Sequence, residues 1–337
     1  MDKRKFTRVC ISDSAHSLMF YLMMSSQEEI DDTFFFFSDG IHPSIREKIP
    51  QKHYIPSVSF RRNLFRKILF FFYLSLLHAT ARLRWPFLKT AKIFAMDYLH
   101  FAPALIGKRH YIHLADGPNC FFNLLTTPEY QKVLPENNRS WYVPVIRFFL
   151  GDCWHKAYGV SPNCDMVVCT TPDRLPQHES KENRTYDLFK LWQKASEEQR
   201  NFILHVFDIT KDDYESMKKR SVVLLTQQLA TEGTVTEEEL VKIYSDLLKM
   251  FPADSILIKR HPRDRVDYRK YFPQALVYDK FAPMQIFAAA GITFRTAVTL
   301  FSSSVTAFPE AEIVWGGSKV HPAIFRRYGD QKLSGGK

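Results

Sequence analysis

Asp254-Ser255-Ile256-Leu257-Ile258-Lys259-Arg260-His261-Pro262-Arg263-Asp264-Arg265 runs an apolar strand, 256–258, straight into a cluster of cations around an imidazole. Farther on, a second apolar run at 296–301 stops at Ser302-Ser303-Ser304. Both polar clusters sit where a strand ends. In an open parallel α/β sheet the carboxyl ends of the strands share one edge, so two such clusters can meet one ligand there. Lys and Arg supply charge, Ser supplies neutral donors, and a helix expected after the serines adds unpaired backbone N–H groups, a combination that suits a phosphate. His-Pro also occurs at His42-Pro43 and His321-Pro322, but only His261 follows a buried-looking strand and is bracketed by Lys259, Arg260, Arg263 and Arg265.

Outward from this stretch the pattern alternates between strand and helix. Val222-Val223-Leu224-Leu225 reads as a buried strand with Thr226-Gln227-Gln228 as its polar end and Gly233 in the loop beyond. Thr236 with Glu239 forms a capping box, predicting a helix to about Met250 that buries Leu240, Ile243, Tyr244, Leu247 and Leu248. Further helices are expected near 265–272 and 283–290, and strands at 276–278 and 312–315. The amino-terminal half opens in the same way. Thr7 to Ser12 reads as a strand, Ser12 or Ser14 as the cap of a helix from His16, and Thr33 to Phe37 as a second buried strand. Further strands are expected at 92–96, 109–114 and 166–170, helices at 61–84, 99–105 and 186–206, and a solvated connection at 173–186.

The fold class expected is therefore α/β with two Rossmann-like lobes. The boundaries expected are 1–180 for the first lobe, 181–220 for a connecting helical segment, 221–325 for the second lobe and 326–337 for a basic tail. The absence of a P-loop and of G-x-G-x-x-G after a strand counts against P-loop ATPases and NAD enzymes.

With 337 residues, 45% of them hydrophobic, the chain has material for two cores. Its formal charge of +10 and pI of about 9.2 call for a polyanionic partner: nucleic acid, an anionic membrane or a phosphorylated substrate. Recognition motifs such as RNP1 or a helix-turn-helix are missing, so nucleic acid is not expected. Five cysteines, Cys10, Cys120, Cys153, Cys164 and Cys169, with no CxxC pair, fit a reduced compartment without structural zinc. No signal peptide is read at the amino terminus. The longest apolar run, Ile68 to Leu77, is shorter than the roughly 20 residues of a spanning helix. Flanked by Arg61, Arg62, Arg66 and Lys67 and by Arg82, Arg84, Lys89 and Lys92, it reads either as a buried helix with a solvated face or as a segment lying on an anionic bilayer.

Arg109 to Leu114, alternating enough for a strand, stops at Ala115-Asp116-Gly117-Pro118. Asp-Gly-Pro after a strand is commonly a turn. In a site, Gly117 would let a ligand approach the backbone while Asp116 offers a carboxylate as general base.

These three clusters, in order, resemble the bacterial sialyltransferases of glycosyltransferase family 52, related in motif to families 80 and 38. The family's acidic-acidic-Gly motif would be Ala115-Asp116-Gly117, its His-Pro motif Ile258 to Asp264, and its Ser/Thr-rich motif Phe301-Ser302-Ser303-Ser304. Val223 to Gln228 looks like the opening of its second lobe. The resemblance implies a GT-B arrangement with a cleft between the lobes, acceptor mainly in the first and CMP-sugar mainly in the second. It implies Asp116 as the base for the acceptor hydroxyl, His261 as hydrogen-bond donor to the departing CMP phosphate, and Ser302 and Ser303 on its oxygens. Gly117, Thr226, Gln227, Lys259, Pro262 and Ser304 complete the candidate substrate-binding set. No metal or cofactor is expected, the partners being a CMP-sugar donor and a glycan or glycolipid acceptor such as lipooligosaccharide or capsule. A peripheral place at the inner face of the cell membrane follows, and the oligomeric state stays open, a homodimer included.

Two positions depart from the family pattern. The first acidic position is Ala115, and Pro283-Met284-Gln285 stands where a Glu is expected. The rival readings are a glycosyltransferase that uses a UDP- or GDP-sugar and a non-catalytic basic protein that binds membrane or nucleic acid.

Overall fold

The computed structural model describes residues 6–56, 64–118, 120–126, 144, 148 and 157–331. The chain divides into two compact units, Met1–Val206 and Phe207–Lys337.

The first unit is built on a seven-stranded sheet of β1 (Arg8–Ser12), β2 (Thr33–Phe37), β3 (Lys52–Tyr54), β4 (Lys92–Ala95), β5 (Tyr111–Leu114), β6 (Cys164–Cys169) and β7 (Glu182–Thr185). Their order is β3-β2-β1-β4-β5-β6-β7, parallel throughout. β1 is an interior strand, paired on both sides, which is why Val9, Cys10 and Ile11 are fully buried and read as a continuous apolar run. The helix Ala15–Met24 follows, and Ser14 is the cap, its hydroxyl accepting the Ser17 N–H at 3.0 Å. Ser17 to Met23 are buried.

The single helix expected over 186–206 is two helices, Leu188–Lys194 and Glu197–Val206. Ser196 breaks it: its hydroxyl accepts the Gln199 N–H at 3.1 Å and starts the second helix. Gln199 then donates through Nε2 to the carbonyls of Leu22 and Ser25 at 2.8 and 2.6 Å, satisfying backbone groups at the end of Ala15–Met24. Strand β7, inside the expected solvated connection, is exposed at all four residues, Glu182-Asn183-Arg184-Thr185. A polar edge strand carries no apolar signature to read. Residues 182–206 thus lie in the first unit.

The second unit holds β8 (Val222–Leu225), β9 (Ile256–Lys259), β10 (Leu276–Tyr278), β11 (Thr296–Thr299) and β12 (Glu312–Trp315), ordered β10-β9-β8-β11-β12 and all parallel. The capping box forms as read, Thr236 taking the Glu239 N–H at 3.1 Å and Glu239 taking the Thr236 N–H at 2.8 Å. The helix Glu237–Leu248 buries Leu240, Tyr244 and Leu248 against Ile256, Ile258 and Val298. The expected helix near 265–272 is only a 3-10 turn, Tyr268–Lys270. Asp264 captures the Val266 N–H at 3.1 Å and Asp267 the Arg269 N–H at 3.4 Å, so side chains occupy donors a longer helix would use. After the serines there is likewise a 3-10 turn, Ser303–Ala307, in place of a longer helix. Residues 326–328 belong to a helix, Pro322–Tyr328, and Arg327 reaches Glu232 at 3.2 Å and Thr234 at 2.7 Å.

Candidate functional site

In each sheet the first strand sits between neighbours reached in opposite directions, β1 between β2 and β4, and β8 between β9 and β11. That is where open α/β sheets bind ligands. Register aligns Leu225 with both Lys259 and Thr299, so the polar ends Thr226-Gln227, Arg260-His261 and Leu300-Ser302 leave adjacent strands at one level. The sequence separates these clusters by tens of residues; the order β9-β8-β11 brings them together.

The His261 loop is held from below. Thr226 Oγ1 accepts the His261 N–H at 3.0 Å and donates to Asp264 Oδ2 at 2.9 Å. The same carboxylate oxygen accepts from the Tyr268 hydroxyl at 2.7 Å, and the Asp264 N–H closes a turn onto the His261 carbonyl at 2.9 Å. Thr226 and Asp264 are buried. The imidazole accepts the Arg263 N–H on Nδ1 at 3.2 Å, which leaves the proton of the neutral ring on Nε2. Burial, then the Arg263 and Lys259 cations, lower the His261 pKa to about 4. The ring is thus a neutral hydrogen-bond donor at neutral pH.

The cations of the cluster divide. Lys259 is buried and its ammonium sits on the carbonyls of Arg260 and Lys280, both at 2.9 Å, with burial and Arg260 lowering its pKa to about 7. Arg260 lies 3.9 Å from Asp279, while Pro262, Arg263 and Arg265 are exposed. Ser302 stitches its own turn, its N–H donating to Thr299 Oγ1 at 3.0 Å and its hydroxyl accepting the Ser304 N–H at 3.3 Å. Thr299 in turn donates to the Leu225 carbonyl at 3.0 Å, tying the ends of β8 and β11 together. Ser303 and Ser304 are half-buried, as is Gln227, whose N–H goes to the Tyr244 hydroxyl at 2.8 Å. Sequence reading placed Asp264 in the His-Pro motif without a role and missed Tyr268 and Tyr244 as parts of this arrangement. Asp264 carried a signal, an acidic residue amid four cations, but its burial did not show.

In the first unit Asp116 and Gly117 follow β5 and are half-buried. A Cβ built on Gly117 would meet no described atom within 4 Å. Tyr98, in the turn after β4, interacts with the Asp116 carboxylate. Burial, then the Asp116 carboxylate, push the Tyr98 hydroxyl pKa well up. Tyr98 stacks on Tyr158 with ring centroids 4.6 Å apart.

Below them Asp97 is fully enclosed. It accepts from the Tyr111 hydroxyl at 2.6 Å and from the N–H groups of Tyr158 and Gly159 at 2.7 and 2.8 Å, with His113 Nδ1 at 2.9 Å. Burial opposes its ionisation, but His113, Tyr111 and Gly159 offset it and hold the carboxyl below its ordinary pKa. Asp97 and Tyr98 were also missed; they follow β4 as Asp116 follows β5. Among the described residues no three His, Cys, Asp or Glu side chains gather as a metal site.

Residues 106–324 match glycosyltransferase family 52. An uncharacterised protein of Haemophilus influenzae is 25% identical over 173 residues, 51% of this chain and 56% of that one, so the chain spans about half the length of this relative. Among solved structures, the GT-B domain of a sialyltransferase from Photobacterium damselae covers 90% of this chain and is itself covered to 89%, at 13% identity and a TM-score of 0.56. A 2,6-sialyltransferase of a Vibrionaceae Photobacterium species, solved with CMP and lactose, covers 91% of this chain and is covered to 71%, at 10% identity and a TM-score of 0.58. Those likenesses fix the fold, and the family match spans more than half of the sequence. Two parallel α/β units and this match together show that the chain has a GT-B fold and belongs to glycosyltransferase family 52.

Proposed function

We propose that the protein transfers sialic acid, with inversion and without a metal, from CMP-sialic acid to a galactose-terminated surface glycan of the lipooligosaccharide or capsule type. The observation that carries this reading is the neutral His261, whose Nδ1 is occupied by the Arg263 N–H so that Nε2–H is the donor. As the bond from sugar to CMP breaks, negative charge grows on the phosphate, and a fixed donor stabilises it most in the transition state. The Ser303 and Ser304 hydroxyls and the turn begun by Ser302 add donors to the same strand-end level. Asp116 takes the proton of the attacking acceptor hydroxyl, and Gly117, with no side chain, lets that acceptor approach the backbone. CMP and lactose, bound by the Photobacterium enzyme, are the donor product and acceptor chemistry proposed for this chain.

The proposed place of work is the inner face of the cell membrane. The helix Leu64–Arg84 exposes Leu69, Phe72, Leu76 and Leu83, at 43 to 77% of their surface, beside Arg84 and Lys89. An apolar stripe with basic neighbours suits an anionic bilayer. No described helix is long and apolar enough to cross a membrane.

The test is release of CMP from CMP-sialic acid, with and without a galactose-terminated acceptor and with EDTA, by wild type, Asp116→Ala and His261→Ala. Acceptor-stimulated release that survives EDTA and collapses in both variants is expected. Release that depends on a UDP- or GDP-sugar instead would replace the donor, and undiminished turnover in Asp116→Ala would remove the base.

A further inference from the structure

We infer that Thr226, Asp264 and Tyr268 form a positioning relay for His261, and that the Thr226 hydroxyl serves this relay and not the nucleotide. The inference rests on His261 as the donor to the leaving phosphate and deepens that reading.

The direction of each hydrogen bond is fixed by chemistry. Asp264 Oδ2 faces two hydroxyls, Thr226 at 2.9 Å and Tyr268 at 2.7 Å, and Oδ1 faces the Val266 N–H at 3.1 Å, so this side chain accepts on both oxygens. The Thr226 proton is therefore committed to Asp264, and its lone pairs are turned to the His261 N–H at 3.0 Å. Thr226 is in turn tied to β9 by its own N–H on the Lys259 carbonyl at 3.1 Å. The relay thus fixes the backbone at His261 and Asp264 together, and the turn between them places the Arg263 N–H on His261 Nδ1.

An amide at Asp264 cannot substitute. With its carbonyl toward the two hydroxyls, Nδ2 meets the Val266 N–H donor to donor. With the amide reversed, Thr226 and Tyr268 must accept from Nδ2, and their hydroxyl protons lose the acceptor that Asp264 provides. Both orientations disturb the loop. Buried polar groups left unmatched in this way move their neighbours.

The test compares Thr226→Val, which keeps the shape and removes the hydroxyl, with Thr226→Ser, which keeps the hydroxyl. Turnover is read as CMP release, and the His261 ring is read from its nitrogen chemical shifts in labelled protein. Thr226→Val is expected to lower kcat about tenfold or more with the donor KM little changed, as for a displaced catalytic group. Its His261 nitrogen shifts should leave the single Nε2–H tautomer pattern of the wild type, and Thr226→Ser should restore both readouts. Wild-type kcat in Thr226→Val overturns the relay. So does equal loss in Thr226→Ser, or loss in Thr226→Val with unchanged His261 shifts. Full activity in His261→Ala would instead remove the reading of His261 itself. If CMP-sialic acid is not turned over at all, the donor reading fails while the nitrogen shifts still decide the relay.

Discussion

At His261 a single backbone N–H decides the chemistry, since Arg263 occupies Nδ1 and makes Nε2 the donor. Burial, then the Arg263 and Lys259 cations, hold the folded pKa at about 4, against an ordinary 6.5. Between those values the unfolded chain carries a proton that the folded chain lacks. Its contribution to stability is therefore complete above about pH 6.5 and is lost as the pH falls toward 4. A titration of the His261 ring by NMR should show a midpoint near 4 in the free protein, moving upward when the CMP phosphate binds beside it. A free-protein midpoint near 6.5 would mean the ring is solvated and unsuited to this role. The residue types of the site were legible in sequence, because His261 and Ser302 stand at strand ends and Asp116 precedes a turn. The sequence did not disclose which cations face a ligand. Lys259 was grouped with the phosphate-binding set on charge alone, yet its ammonium rests on two carbonyls. Nor did it disclose Tyr98, which the turn after β4 brings to Asp116.

The helix Leu64–Arg84 shows two faces. Leu74 and Ala81 are fully buried, whereas Phe72, Leu76 and Leu83 lie on the outside. Leu74→Ala should cost about 2–5 kcal/mol of stability in denaturant unfolding, because a buried leucine leaves a cavity. The double change Phe72→Ser and Leu76→Ser should stay within about 1 kcal/mol while weakening sedimentation with anionic liposomes. Equal sedimentation of both proteins would detach this face from the membrane. Gly159 makes a different demand, with φ at +77° and a Cβ that would lie 2.8 Å from Val167 Cγ2. Gly159→Ala should therefore lower stability by more than about 1 kcal/mol, read from the thermal midpoint. Elements with apolar cores were readable: β1, β2, β8 and β11 fall within expected strands, and β9 runs one residue past its own, to Lys259. Edge strand β7 and the break at Ser196 were not, because one is polar throughout and the other depends on one hydroxyl closing on Gln199.

On the scale of the molecule, Thr226, His261 and Ser302 to Ser304 all fall in the unit Phe207–Lys337, and Asp116 falls in Met1–Val206. Binding of CMP should accordingly slow amide exchange in the turns after β8, β9 and β11 more than anywhere in the first unit; protection confined to residues 6–206 would reverse the assignment of donor and acceptor lobes. The two units were visible in the alternation of strand and helix, while their dividing point at residue 206 was not, since helix Glu197–Val206 is bound to the first unit through Gln199. Because β1 is paired on both sides, its two edges are covered at different times during synthesis. β1 ends at Ser12 and pairs with β2 soon afterwards, but its other side waits for β4, which begins at Lys92. At a translation rate of about 5–20 residues per second, the edge of Val9-Cys10-Ile11 stays unpaired for several seconds on every ribosome that makes this chain.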